Sequence, residues 1–426
     1  MHRWTPLLAL GLLTAGAAQA ADIESVALVL EFAPALDSYS ASAVYTVRFE
    51  EQESSLELVR AGGERTVVPR EGALTVATLT WTGGDRDLSV RDGFVFAGFD
   101  TAGWLPLPAT ERGPDLIADA FVWDLTLVLP PGLSAVGSGS TVPSDARPDG
   151  RVAHRFVLES PTRPYLLGFA AGPFARREET LQRPDGTTVL LQYLLCDETA
   201  FVERFGSTGP ALLWMEAWTG ARYPDAVYTQ VLLPGGAAQE KAGFALLGAR
   251  TVALADAAPD EAWYVIHELS HQWFGRQLGA GDWSENWLNE GFAVLATMLF
   301  SGGQWGAERG AAEVSRARTR YARAIERGQD RPLRVPGWKT PGDGGGPIAY
   351  TKALLVLDLL RRQVGAKPFD AGIAALFAAE ARNHADFTSE ALLSALAKAS
   401  GVDLSDIGPM WVDGPGEPAQ LLTTTP

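Results

Sequence analysis

The sequence predicts an α+β, multidomain chain, with an N-terminal antiparallel β-sandwich-like domain followed by a mainly helical one. Three observations carry this expectation. The 426 residues exceed what one ordinary core accommodates. Up to about Phe174, apolar and polar residues alternate in short runs between turn signals. Beyond it, apolar residues recur at helical spacing in runs separated by Pro, Gly or polar loops. With 46% hydrophobic and 20% charged residues, the composition is globular rather than disordered.

Residues 1–20 have the form of a secretory signal. Arg3 precedes an apolar core from Leu7 to about Leu13, and Ala18-Gln19-Ala20 fits the cleavage site. The apolar run is too short to span a bilayer, and no later run is long and apolar enough. The expectation is an exported chain, periplasmic or extracellular, starting near Ala21. Its single cysteine, Cys196, has no partner for an internal disulfide and reads as a buried structural thiol.

The β region is expected over 21–175. Ala43-Val44-Tyr45-Thr46-Val47-Arg48-Phe49 alternates as a half-buried strand does, and Val122–Leu129 is stopped by Pro130-Pro131-Gly132. After a strand near Thr188–Leu195, helices are expected at about 209–220, 260–277, 289–300, 307–327, 349–364, 368–381 and 389–400. This second region runs over 176–418. A loose tail, 419–426, is expected to close the chain.

The formal net charge of −16 argues against a nucleic-acid partner, which requires a basic surface. Chemistry concentrates in the second region. His267-Glu268-Leu269-Ser270-His271 fits H-E-x-x-H on a helix. Residues four apart share a face, so both imidazoles reach one metal, while Glu268 projects aside toward a metal-bound water. Glu290 follows His271 after eighteen residues, in Asn286-Trp287-Leu288-Asn289-Glu290-Gly291-Phe292-Ala293. Two His and one Glu around Zn2+ leave the fourth position open, which is the pattern of a catalytic site. A lone Glu290 would read as an ordinary acid at a helix N-terminus; beside the histidines it reads as a ligand.

These blocks, His267 to Gly275 and Asn286 to Ala293, resemble the M1-type gluzincin zinc metallopeptidases, the aminopeptidase N and leukotriene A4 hydrolase-like family, in a short form. The resemblance implies a thermolysin-like catalytic domain, one Zn2+ per chain and peptide substrates. Ala349-Tyr350-Thr351-Lys352-Ala353 looks like the family's Y-x-K-G block, so Tyr350 is implied to donate to the oxyanion. The family's G-x-M-E-N stretch corresponds to Ala237-Ala238-Gln239-Glu240-Lys241, in which only the Glu is kept. By that match Glu240 binds a substrate's free α-amine, with Gly236 and Ala237 lining the substrate. Lys241, in place of Asn, is expected to bring a cation near that amine. Thr297 stands where the family has a carboxylate supporting the metal site. The strand at Tyr228–Leu233 is expected to pair with an extended peptide.

Three readings stay open on the sequence: a zinc aminopeptidase; a zinc endopeptidase or other hydrolase that needs no free N-terminus; and an inactive exported binding protein of the same fold. Glu268 as general base separates the first two from the third.

Overall fold

The computed structural model describes residues 21–60, 62–97, 103–111, 113–117, 119–197, 203–236, 238–250, 263–335, 346–383 and 386–423. The signal segment 1–20, Ala237, Asp260 and His384 lie outside the described residues, as does most of the glycine-rich stretch 342–347.

Alternation sets the first region. A six-stranded sheet contains β1 (Asp22–Phe32), β2 (Ser38–Arg48), β3 (Leu74–Gly84), β4 (Phe121–Leu129), β5 (Ser140–Ala146) and β6 (Val152–Thr162), in the order β5-β6-β4-β1-β2-β3. In β2, every second residue from Tyr39 to Val47 is buried and the intervening ones face outward. Pairing is antiparallel except between β1 and β4, which run parallel in the register Leu28↔Leu125. Two four-stranded sheets complete the region, one including Phe94–Ala97 and Phe169–Gly172, the other Ser55–Val59 and Leu107–Thr110. Their apolar faces share a core with Tyr45, Trp104, Trp123 and Phe169.

A mixed sheet follows, of β7 (Ala175–Gln182), β8 (Thr188–Leu195), β9 (Val227–Leu233), β10 (Ala238–Lys241) and β11 (Phe244–Gly248), in the order β7-β8-β9-β11-β10. Strand β9 is therefore interior, hydrogen-bonded to β8 on one side and β11 on the other. It has no free edge for a peptide, contrary to expectation. Its near-continuous burial has the same cause, because a central strand covered on both faces needs no polar alternation. The edge strands of this sheet are β7 and β10. Cys196, just past β8, is half-buried, and burial pushes its thiol up to about 11.

The helices are α1 (Thr208–Thr219), α2 (Trp263–Ser270), α3 (Trp287–Trp305), α4 (Ala307–Glu326), α5 (Ala353–Val364), α6 (Ala366–Asn383), α7 (Ser389–Ser400) and α8 (Pro418–Leu422). They and the mixed sheet enclose a second core containing Trp273, Phe274, Trp287 and Phe292. The residues expected to form a loose tail instead begin with α8. Leu421 is buried there and its carbonyl accepts from Arg318 Nε at 3.1 Å. No helix among the described residues is long and apolar enough to cross a membrane.

Helix α2 stops at Ser270, seven residues before the expected end. The chain turns because Gly275 adopts φ +126°, a left-handed backbone that a helix cannot contain. Leu278 N then bonds to Trp273 O at 2.8 Å and Gly275 N to Leu278 O at 2.9 Å. His271 thus sits in the first turn beyond the helix rather than within it.

Candidate metal centre and cleft

Helix α2 and the turn after it bring His267 and His271 together, and α3 packs against α2 with Glu290 in its first turn. The two Nε2 atoms lie 3.3 Å apart. Glu290 Oε2 stands 3.3 Å from His267 Nε2 and 3.6 Å from His271 Nε2. Ligands at zinc distances of ~2.0–2.2 Å in a tetrahedron stand about 3.3–3.6 Å from one another. The three donor atoms therefore already form one face of a zinc-sized tetrahedron. The chemistry of the donors agrees. His271 Nδ1 lies 3.0 Å from Phe274 O, which fixes the proton on Nδ1 and leaves the Nε2 lone pair for a metal. His267, His271 and the nearby Glu268 are all buried.

The acids around this face also call for a cation. Ligand atoms of Glu240, Glu268 and His271 lie within 4.8 Å of one another, as do those of His267, His271 and Glu290. Burial, then the Glu240 and Glu290 charges, hold the Glu268 carboxyl well above the usual range. Burial likewise raises Glu240, with the His271 and Lys241 charges opposing and Glu290 adding. Three carboxylates so close are mutually destabilising unless protonated or neutralised. Glu268 Oε2 is buried without a hydrogen-bond partner in the structure. The residues present fit one Zn2+.

His267 is held differently from His271. Its Nδ1 is buried with no partner, and the Thr297 hydroxyl donates instead to Ala293 O at 2.9 Å on its own helix. Ring stacking takes over. Trp263 lies 4.4 Å from the His267 ring at 14°, and Tyr350 lies 5.8 Å away at 27°. Tyr350 is carried on a π-helical turn, Pro347–Lys352, a distortion frequent at functional sites. Burial and the Glu290 and Glu240 charges push its phenol upward, so it stays a proton donor. Two residues on, Lys352 is wholly buried. Its ammonium pairs with Asp330 at 2.9 Å and donates to Pro415 O at 2.8 Å. Ala353, where the family has Gly, packs against Gly291, on which a Cβ would come within 2.8 Å of the alanine methyl.

Lys241 lies near enough for its charge to act on Glu240 and Glu268, as expected, but its ammonium is tied to a backbone carbonyl. Successive residues of a strand face opposite ways, so Glu240 turns to the metal centre and Lys241 away from it. The buried Lys241 Nζ donates to Tyr165 O at 2.7 Å. Strand β10 is further fixed by Gln272, whose Nε2 donates to Lys241 O at 2.8 Å while its Oε1 accepts from Gly243 N at 3.0 Å. Gly236 is exposed in the bend leading into β10.

Sequence reading gave no role to Tyr165, which joins the β region to β10, to the turn after α2 and to α3. Besides its carbonyl contact with Lys241, its hydroxyl donates to Gly275 O at 3.2 Å and accepts from Asn289 Nδ2 at 3.2 Å. Nothing in local periodicity marks such a residue, because its partners are 76 to 124 positions away.

The comparisons agree with this geometry. The model of the "Peptidase family M1 domain" matches residues 204–411, which include every residue of the centre. Aminopeptidase N of Lactococcus lactis subsp. lactis is 26% identical over 272 residues, covering 60% of this chain and 31% of that protein. The chain thus spans about a third of the length of the curated relatives it matches. An M1 zinc metallopeptidase from Deinococcus radiodurans shares the fold with a TM-score of 0.75 at 24% identity, over 94% of this chain and 96% of that one. A mutant of that enzyme bound to a Tyr-Ser-Ala substrate matches with a TM-score of 0.73 at 25% identity, over 94% and 95%. Residues 204–411 of this chain thus form an M1 peptidase domain, and with the donor triangle and the two sequence blocks they make a zinc metallopeptidase centre of the gluzincin kind.

Proposed function

We propose that this chain is a zinc-dependent aminopeptidase that releases N-terminal residues from peptides. The observation that carries the reading is the clustering of Glu240 and Glu268 with the donor triangle of His267, His271 and Glu290. Bound there, Zn2+ would polarise the scissile carbonyl and acidify the attacking water. Glu268 takes that water's proton on its unpartnered carboxylate oxygen and delivers it to the leaving nitrogen. The Tyr350 hydroxyl donates to the developing oxyanion. Glu240, fixed through β10 by Gln272 and Lys241, accepts from the substrate's α-ammonium. The peptide main chain lies along β10, an edge strand of the mixed sheet. The orientation of Lys241 supports this over the endopeptidase reading, since its ammonium is tied to the Tyr165 carbonyl. The relatives' names, aminopeptidase N and aminopeptidase B, point the same way.

The test compares one peptide with free and with acetylated N-terminus, using the zinc-loaded chain and Glu268→Gln as blank. Cleavage of the free peptide alone is expected. Equal cleavage of both would retain the hydrolase and remove the amine-binding role of Glu240. We also read residues 1–20 as a removable signal, so the chain acts outside the cytoplasm. A secreted product whose mass begins at Ala21 is expected; a full-length product kept inside the producing cell would refute it.

A further inference from the structure

Beside the metal centre lies a cavity of about 580 Å³, bounded at one end by Trp263, His267, Glu268 and Tyr350. That size suits a small ligand or a few residues of a peptide. Neither Glu240 nor His271 lines it. Ala238 at the start of β10 does line it, beside Glu268 and Tyr350, so a peptide whose amine is held at Glu240 and whose scissile bond lies at Glu268 is taken to enter the cavity with the portion beyond that bond.

Helix α4 and its C-cap residue also line it, and what they present is largely cationic. Arg316, Arg320, Arg323 and Arg327 line the cavity. Their spacing confines them to one stripe about 60° wide on the helix. The stripe is directional, not a by-product of a generally basic helix, because Arg318 turns elsewhere to the Leu421 carbonyl. Arg316 is paired with Glu313. Arg320, Arg323 and Arg327 are exposed and have no ion-pair partner among the described residues. In a chain of net charge −16, carboxylates are abundant, yet among the described residues the one acid of α4 that lines the cavity, Glu313, pairs with Arg316 and none pairs with these three. Like charges repel along a helix, so the arrangement costs stability unless a ligand supplies the anion.

We infer that this stripe is a carboxylate subsite on the leaving side of the scissile bond. It selects peptides that bring an anion there: the C-terminal carboxylate of a short peptide, or an acidic side chain of a longer one. A guanidinium fork matches a carboxylate bidentately. The inference rests on the aminopeptidase reading for its direction along the peptide.

The experiment uses the zinc-loaded chain with a tripeptide acid and its C-terminal amide, and with longer amidated peptides carrying Asp or Asn in the third position. KM for the acid is expected to be about tenfold lower than for the amide at low salt. The gap should shrink at ~0.5 M salt, because the stripe is exposed. It should close in Arg320→Gln/Arg323→Gln and invert in Arg323→Glu. A preference for acid without one for Asp assigns the subsite to the substrate's C-terminus; the reverse assigns it to side chains. Equal KM across every pair, or a preference untouched by the double variant, overturns the subsite and leaves the peptidase standing. Should no peptide be hydrolysed, the reading of the function fails, and calorimetry of Glu268→Gln with the same pairs decides the subsite. Tighter binding of the acids, lost in the arginine variants, supports it, and equal or absent binding overturns it.

Discussion

His267 and His271 stand four residues apart and face the same point, yet their surroundings hold them by different forces. On the His271 side the backbone does the work. The Phe274 carbonyl fixes the imidazole, the Gly275 turn fixes that carbonyl, and Gln272 ties the same turn to the strand bearing Glu240. On the His267 side no hydrogen bond reaches Nδ1, and the ring is held between Trp263 and Tyr350. Hydrogen bonds specify direction, whereas stacking specifies a plane. The difference predicts that damage on the first side spreads through the fold, while damage on the second stays with the metal.

The largest effect is expected at Gly275. A valine there meets a positive φ, with its Cβ 3.2 Å from Tyr165 Oη and 3.4 Å from His271 O. A loss of about 2–4 kcal/mol is expected in denaturant melts of the metal-free protein. An unchanged midpoint would show that the turn is not what holds His271. Next comes Gln272→Leu, which strands the buried Gly243 N–H and Lys241 carbonyl. About 2–3 kcal/mol should be lost. Because β10 is released, KM for peptides with a free N-terminus should rise more than kcat falls.

Trp263→Ala tests the other side. Zinc affinity, measured by competition with a chelating dye, should fall about tenfold or more, while the melting of the metal-free protein changes little. Trp263→Phe keeps a stacking face and should recover most of the affinity. If both variants bind zinc as the unaltered chain does, the stack is only packing.

The smallest effect concerns protonation of the chelated protein. Burial and neighbouring carboxylates raise Glu268 in the folded state, so its charged form is the destabilising one. That penalty is full above the raised value and fades as pH falls through it. Chelated Glu268→Gln should therefore melt higher than the chelated unaltered chain at alkaline pH, and the gap should narrow as the pH falls. A gap that widens on acidification would contradict the assigned direction. In the zinc-loaded protein the metal's charge removes most of the effect.

Much of the centre was legible because its information is local. The i, i+4 spacing of His267 and His271 puts two imidazoles on one side of any helix, and alternation in Tyr39–Val47 buries one face of any strand. Less legible was whatever depended on chain order in space. Strand β9 looked available to a peptide, but β11 crosses over to pair with it and leaves β10 at the edge. Lys241 looked like a neighbour of the amine, and its charge does act on Glu240, but the pleat turns its ammonium toward Tyr165. The helical pattern after Ser270 was real, yet Gly275 and its cross-turn bonds outweighed it.

By itself, then, the sequence determined the donor types, the acid beside them and the two-part architecture, since each follows from spacings shorter than a helix or a strand. Only the tertiary structure decided how those pieces face one another: Tyr165 bridging to Gly275 and Asn289, Trp263 stacked on His267, and the arginines of α4 turned toward the cavity. These depend on packing between elements far apart in the chain, and burial drives that packing without leaving a local signature in the order of residues.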